Sequence, residues 1–338
     1  MKLLRLFVAG MLATNLAAEA DVAPGQASSN ASYRSAPTSH RKAEPVVTQM
    51  RNLVFHIGRG VELRVDELVG HLVSTTGSPP VFDDVRSYRI DIESARVAMT
   101  PQSLTNLLNN HVFAAPNAPI KKLTIDIEGD ELVQTGVLKK KVDVPFTMRA
   151  AIGATEDGRI RIHPVSLKAA GFLSKRVLDF FGLRLDRLVK VDRATGVAVD
   201  GEDLLLDPER LLPPPAIHGR VTAAWIENGV VIEQFGSAQR KPPPEPDGRF
   251  ANYMYYRGGT LRFGKLTMVD ADLLLVDTNQ KDAFDFSPAE YDKQLIAGYS
   301  KNTAAHGLIV YMPDLRALRP GAPGDKGAER EPSERQHH

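Results

Sequence analysis

The sequence predicts an α+β fold: a strongly curved antiparallel β-sheet wrapped around a long amphipathic helix, with additional C-terminal strands. Three observations carry this expectation. Apolar residues recur at every second position through much of Tyr88 to Leu167, as in Leu123, Ile125 and Ile127 or Val142, Val144, Phe146 and Met148. Short turn signals such as Gly129-Asp130 and Glu156-Asp157-Gly158 cut this alternation into strand lengths. From Phe172 to Val191 the pattern changes to a helical period with about half the circumference apolar. Successive strand side chains point to opposite faces, so the alternation describes a sheet wet on one side and covered on the other.

Taken from the N-terminus, residues 1–20 read as a secretory signal peptide. Lys2 and Arg5 form a basic n-region, Leu6 to Ala18 an apolar stretch, and Ala18-Glu19-Ala20 a small-x-small cleavage pattern before Asp21. The stretch is shorter than the roughly 20 residues that span a bilayer, so the mature chain is expected to be exported, periplasmic or secreted. Residues 21–45 are rich in Ala, Ser, Pro, Gly and Asn without an apolar period and read as a disordered leader. Leu53, Phe55 and Ile57, then Val61, Leu63 and Val65, mark two short strands joined at Gly58-Arg59-Gly60. The strand from Tyr88 slips its apolar phase after Ser94, the signature of a bulge. Thr100-Pro101 then opens a short helix, with threonine as N-cap and proline in the first turn.

A meander follows from Leu123 to Leu167, turned at Gly129-Asp130, Lys139-Lys140-Lys141 and Glu156-Asp157-Gly158. Projected at about 100° per residue, Leu173, Val177, Leu178, Phe181, Leu185, Leu188 and Val189 fall in one arc of the long helix. Lys175, Arg176, Asp179, Asp186, Arg187 and Lys190 fall opposite, and Gly182 is placed to kink it. Gly196 to Leu206 supplies short strands. Val221 to Glu233 reads as a hairpin, because Asn228-Gly229 suits a type I′ turn with positive φ at both central residues. Pro213-Pro214-Pro215 and Pro242-Pro243-Pro244 read as extended connectors. Tyr253 to Asp277 should form strands around a turn at Gly258-Gly259, Ser287 to Ser300 a helix, Gly307 to Met312 a last strand, and residues 319–338 a disordered tail.

Composition excludes several classes of function. There is no cysteine, hence no disulfide, thiolate metal site or lipidated N-terminal cysteine. Removing Lys2, Arg5 and Glu19 with the signal leaves 40 basic and 40 acidic side chains, which lack the field of a nucleic-acid binder. His56, His71, His111, His163, His218 and His306 show no ligand spacing and read as surface or hydrogen-bonded side chains. No Gly-x-Ser-x-Gly elbow, P-loop or dinucleotide glycine pattern occurs. Asp270, Asp272, Asp277, Asp282 and Asp285 have the density of a calcium site but lack the glycine and terminal glutamate of an EF-hand, and read as a solvated sheet face. Phe250, Tyr253, Tyr255 and Tyr256 read as a half-buried strand. No catalytic residue, metal or cofactor is expected.

The run Ile120-Lys121-Lys122-Leu123-Thr124-Ile125 through Gly136, with Val144-Pro145-Phe146, Asp157-Gly158-Arg159-Ile160-Arg161-Ile162 and Phe180-Phe181-Gly182-Leu183, resembles the LmeA-type phospholipid-binding family. It is similar in style to the broader tubular lipid-binding group, over about residues 53–235. The resemblance implies a highly curved sheet around a long helix, an apolar cavity for lipid chains, and neither catalytic residue nor cofactor. Residues 46–240 would then form the lipid-binding-like domain and 249–315 a β-rich extension on the same sheet. The expected partner is a phospholipid or similar apolar ligand, with peripheral contact to a membrane. Leu173, Val177, Phe181, Leu185 and Leu188 from the helix would face Ile125, Val144, Phe146, Ile160 and Ile162 from the sheet across the slot. Lys139, Lys140, Lys141 and Arg176 at a rim would meet an anionic headgroup. Two alternatives stay open: a structural or protein-interaction module with a fully packed core, and a hydrolase of unknown type. A dry slot on the order of several hundred Å3 favours the lipid reading, and a filled core the module.

Overall fold

The computed structural model describes residues 44–58, 60–139, 142–169, 172–174, 196–237, 245–246, 250–304 and 307–319. Alternating sequence makes long strands here. β1 (Val46–Gly58), β2 (Val61–Ser74) and β3 (Tyr88–Met99) pair antiparallel in chain order. Two residues are skipped in the β2–β3 pairing, Asp66 and Glu93. Beyond each, the buried positions change parity: Val61 and Val65 give way to Leu68 and Leu72, Tyr88 and Ile90 to Ala95 and Val97. Each is a bulge, and the second realises the phase slip read at Ser94. α1 (Pro101–Leu107) starts as expected, with the Thr100 hydroxyl accepting the Ser103 N–H and Pro101 in the first turn. It continues into one π-helical turn, Leu108–Val112.

The meander builds a second sheet from β4 (Ile120–Glu128), β5 (Glu131–Lys139), β6 (Asp143–Ala154) and β7 (Ile160–Ala169). Two short segments share the far edge of β7: β8 (Phe172–Ser174) pairs with one end and β10 (Asp203–Leu206) with the other, with β9 (Val197–Asp200) outside it. α2 (Pro208–Leu211) follows, capped by the Asp207 side chain accepting the Glu209 N–H. β11 (Ala216–His218) runs parallel to β3, and the hairpin β12 (Val221–Glu227) and β13 (Val230–Gly236) adds to it. Asn228 and Gly229 have φ of +52° and +74°, as a type I′ turn requires. β14 (Tyr253–Phe263), β15 (Leu266–Asp277), β17 (Tyr299–Asn302) and β18 (Leu308–Met312) extend the first sheet beyond β1. β16 (Phe284–Phe286) lies parallel to β1, and α3 (Tyr291–Ile296) precedes β17. One continuous apolar core takes side chains from both sheets, from Leu53 and Phe286 to Ile125 and Leu167.

The α+β expectation is overturned. The chain is mostly β and contains a curled half-barrel of sheet, but its described α-helices have 7, 4 and 6 residues and none is long and amphipathic. Phe172–Ser174, where the long helix was to start, is strand β8, paired as Ala169↔Phe172 and Leu167↔Ser174. The rest of that segment, 175–195, lies outside the described residues, as do 1–43 and 320–338. Among the described residues, Leu104 and Leu107 of α1 and Leu211 of α2 lie over the inner sheet face. Two smaller readings also change. The turn after β14 is at Gly264-Lys265, while Gly258 and Gly259 lie inside β14. The segment expected as a helix from Ser287 to Ser300 holds a 3-10 turn, the short α3 and the start of edge strand β17. No helix among the described residues is long and apolar enough to cross a membrane.

Candidate functional site

Between the two sheets the core is not completely filled. A cavity of about 60 Å3 lies where β4, β5 and β7 face α1 and α2, walled by Ile125, Leu132, Ile160, Ile162, Leu104, Leu107 and Leu211. A second, of about 50 Å3, lies over β1, β2 and β3, walled by Met50, Phe55, Leu68, Ile90, Val97 and Pro215. Leu212 and Glu233 belong to the walls of both. The two cavities therefore adjoin at these residues, beside α2 and the Pro213-Pro214-Pro215 connector.

Glu233 is the unusual residue of these walls. On β13, Val231, Glu233 and Phe235 share the inward face, at 1%, 8% and 2% exposure. Burial alone pushes the Glu233 carboxyl up to about 7. Among the described residues no hydrogen bond or ion pair reaches it, and it is the one ionisable group on either cavity wall. Gln134 is the other polar side chain lining the first cavity. The walls of both cavities are thus hydrocarbon-like, with a neutral hydrogen-bond donor where they adjoin at slightly acid pH. In the sequence this residue reads only as the end of the hairpin Val221 to Glu233. The signal was present in Val231-x-Glu233-x-Phe235, where an acid occupies the apolar phase of a strand.

Of the sheet residues expected to line a slot, Ile125, Ile160 and Ile162 come together on one wall of the first cavity. Phe146 is buried and Val144 half-buried in the same core, and neither lines these two cavities; Phe146 lies over Gly136, whose Cβ position is 3.0 Å from the ring. Leu173 sits in β8 opposite Lys168. Val177, Phe181, Leu185 and Leu188 lie outside the described residues, as do Lys140, Lys141 and Arg176; Lys139 ends β5 exposed.

Several histidines face carboxylates. His56 pairs through Nε2 with Asp285 and has Nδ1 3.6 Å from Glu62, in a groove of about 770 Å3 that Ser287 also lines. His163 lies 2.6 Å from Asp203, His71 3.5 Å from Glu93 and His218 3.5 Å from Glu209. Both ring nitrogens of His56 are turned to acids, so neither is presented to a hydroxyl nucleophile. Tyr253 and Tyr256 of the aromatic run are buried on opposite faces of β14, a packed strand rather than a platform. No protein-family model, curated protein or solved structure matches this chain.

Proposed function

We propose that the chain is an exported, non-enzymatic protein that holds a lipid-like apolar ligand, such as part of a phospholipid, in the channel between its sheets. This follows the manner of the LmeA-type family that its central region resembles. The observation that supports it most is the pair of apolar cavities meeting at Leu212 and Glu233. A buried acid that no described residue pairs with is costly in a structure that has no use for it. A neutral Glu233 offers one donor to an ester carbonyl or hydroxyl part-way along a hydrocarbon chain. At about 10–15 Å3 per water-sized group, the cavities admit short acyl segments. Each buried methylene returns about 0.8 kcal/mol, before the cost of ordering the ligand.

The same volumes favour one rival, a structural or protein-interaction module with a packed core, because about 60 and 50 Å3 fall well short of a whole lipid. Native mass spectrometry of protein purified from an exporting host separates the two. The lipid reading expects an added mass that organic solvent strips off, together with uptake of a fluorescent phospholipid by the stripped protein. A bare polypeptide mass and no uptake would reject it in favour of the module.

A further inference from the structure

Away from the channel, three carboxyls converge at one end of the larger sheet. β15 and β18 are parallel neighbours, so their C-terminal ends exit side by side, with Asp277 paired to Met312. Asp277 closes β15, Asp282 stands in the loop after it, and Asp314 follows β18. One oxygen from each lies within 4.8 Å of the other two. Oxygens bound to one cation at about 2.4 Å can be no farther apart than this. Asp277 and Asp314 are only 1% and 5% exposed, whereas Asp282 opens to solvent.

A second observation points to a missing ligand. Oδ2 of Asp277 is buried and has no hydrogen-bond partner, although Oδ1 accepts the Asn279 N–H at 2.8 Å. Buried acceptors without a donor are rare and call for a partner. Arg316 does not supply it: its guanidinium reaches the Oδ2 atoms of Asp282 and Asp314. When all three are ionised, three carboxylates against one guanidinium leave two negative charges, the charge a divalent ion balances; burial opposes that ionisation at Asp277 and Asp314. The loop is held in place by protein groups alone. Asn252 Nδ2 donates to the carbonyls of Asn279 and Asp282, and Gln280 Nε2 to that of Asp277. Such bracing lowers the ordering cost of binding. An all-oxygen donor set selects a hard cation, and an irregular set completed by water suits calcium better than magnesium, which demands a near-ideal octahedron.

We propose that Asp277, Asp282 and Asp314 form a calcium site that ties the loop after β15 to the segment after β18. The test uses the full chain, melted in EDTA, in about 5 mM CaCl2 and in about 5 mM MgCl2, a range set by weak extracellular calcium sites. Calcium should raise the midpoint by about 2 °C or more, and magnesium by less. Titration calorimetry should find one calcium per chain. Asp277→Asn and, at the exposed position, Asp282→Asn should each remove the response, while Asp270→Asn outside the cluster keeps it. Equal wild-type midpoints in EDTA and calcium with no binding heat would overturn the site. So would an undiminished response in both cluster variants. An Asp277→Asn protein more stable than a calcium-insensitive wild type would also overturn it, by assigning a proton rather than an ion to Oδ2.

Discussion

Glu233 stands on the inward face of β13 between Val231 and Phe235, and burial opposes its ionisation. Its carboxyl titrates near 7 in the fold against 4.5 as its ordinary value. Below 4.5 both folded and unfolded chains carry the proton and the group contributes nothing to the pH dependence. Between 4.5 and 7 the unfolded chain has lost the proton that the folded chain keeps, so stability falls as pH rises; above 7 the loss is complete. At about 1.4 kcal/mol per unit the loss is on the order of 3 kcal/mol. Urea unfolding between pH 4.5 and 8 should therefore show a decline in wild type that Glu233→Gln lacks, and parallel curves for the two would assign Glu233 an ordinary pKa. Glycines give a second contrast at this scale. Gly229 has φ +74° and open space around its Cβ position, so Gly229→Ala pays only backbone strain, about 1–2 kcal/mol. Gly236 has φ +60° and its Cβ would strike the carbonyl oxygen of Glu93, the bulged residue of β3. Gly236→Ala should cost more than Gly229→Ala in denaturant melts; equal costs would mean that the bulge yields freely.

An edge strand must satisfy or hide its unpaired backbone groups, and β4, the edge of the second sheet, does so with side chains from the helix before it. Asn109 donates from Nδ2 to the Leu123 carbonyl at 2.6 Å and accepts the Leu123 N–H on Oδ1 at 3.2 Å. Thr105 accepts the Ile125 N–H at 2.9 Å. The short α1 and its π-helical turn therefore act as a substitute strand. Asn109→Ala leaves both Leu123 groups unmatched and should cost about 1–3 kcal/mol by urea unfolding; a loss below about 0.5 kcal/mol would show that water replaces the amide at no cost. This arrangement was not legible in the sequence, because Asn109 and Leu123 meet only after the chain has turned. What alternation and turn chemistry specify locally was legible: Thr100-Pro101, Asn228-Gly229 and the slip near Ser94 all lie where they were read. Phe172-Leu173-Ser174 shows the limit. Three residues belong equally to a helical arc and to a strand, and pairing with Leu167 to Ala169 decides for the strand. Gly258-Gly259 misled in the opposite direction. Gly259 is needed where the Glu44 and Pro45 carbonyls approach within 2.6 and 2.9 Å of its Cβ position, a contact distant in sequence.

At the scale of the whole molecule, one core shared by two sheets either closes completely or keeps a channel, and Leu212 is the residue that separates these outcomes. The sequence marked Ile125, Ile160 and Ile162 as inward-facing, and they do share a cavity wall. It did not mark Leu212, Pro215 or Glu233, because α2, the proline connector and β13 reach the cavity walls only through tertiary packing. Leu212 is half-buried at the end of α2 and borders both cavities. In a packed core Leu212→Trp has nowhere to go, and overpacking should cost about 1–3 kcal/mol. If the channel is a binding site, the indole instead enters space that the ligand uses. Filling part of the two cavities then recovers on the order of 1 kcal/mol of lost contacts, offsetting the strain. The lipid reading accordingly expects a delipidated Leu212→Trp protein within about 1 kcal/mol of wild type by urea unfolding, carrying little or no co-purified lipid. Its companion Leu212→Ala enlarges the junction, so it should lose stability but keep its ligand. A Leu212→Trp protein that retains the wild-type complement of lipid would place the ligand elsewhere. A destabilised variant of a wild type that itself carries no lipid would assign the chain to the packed module.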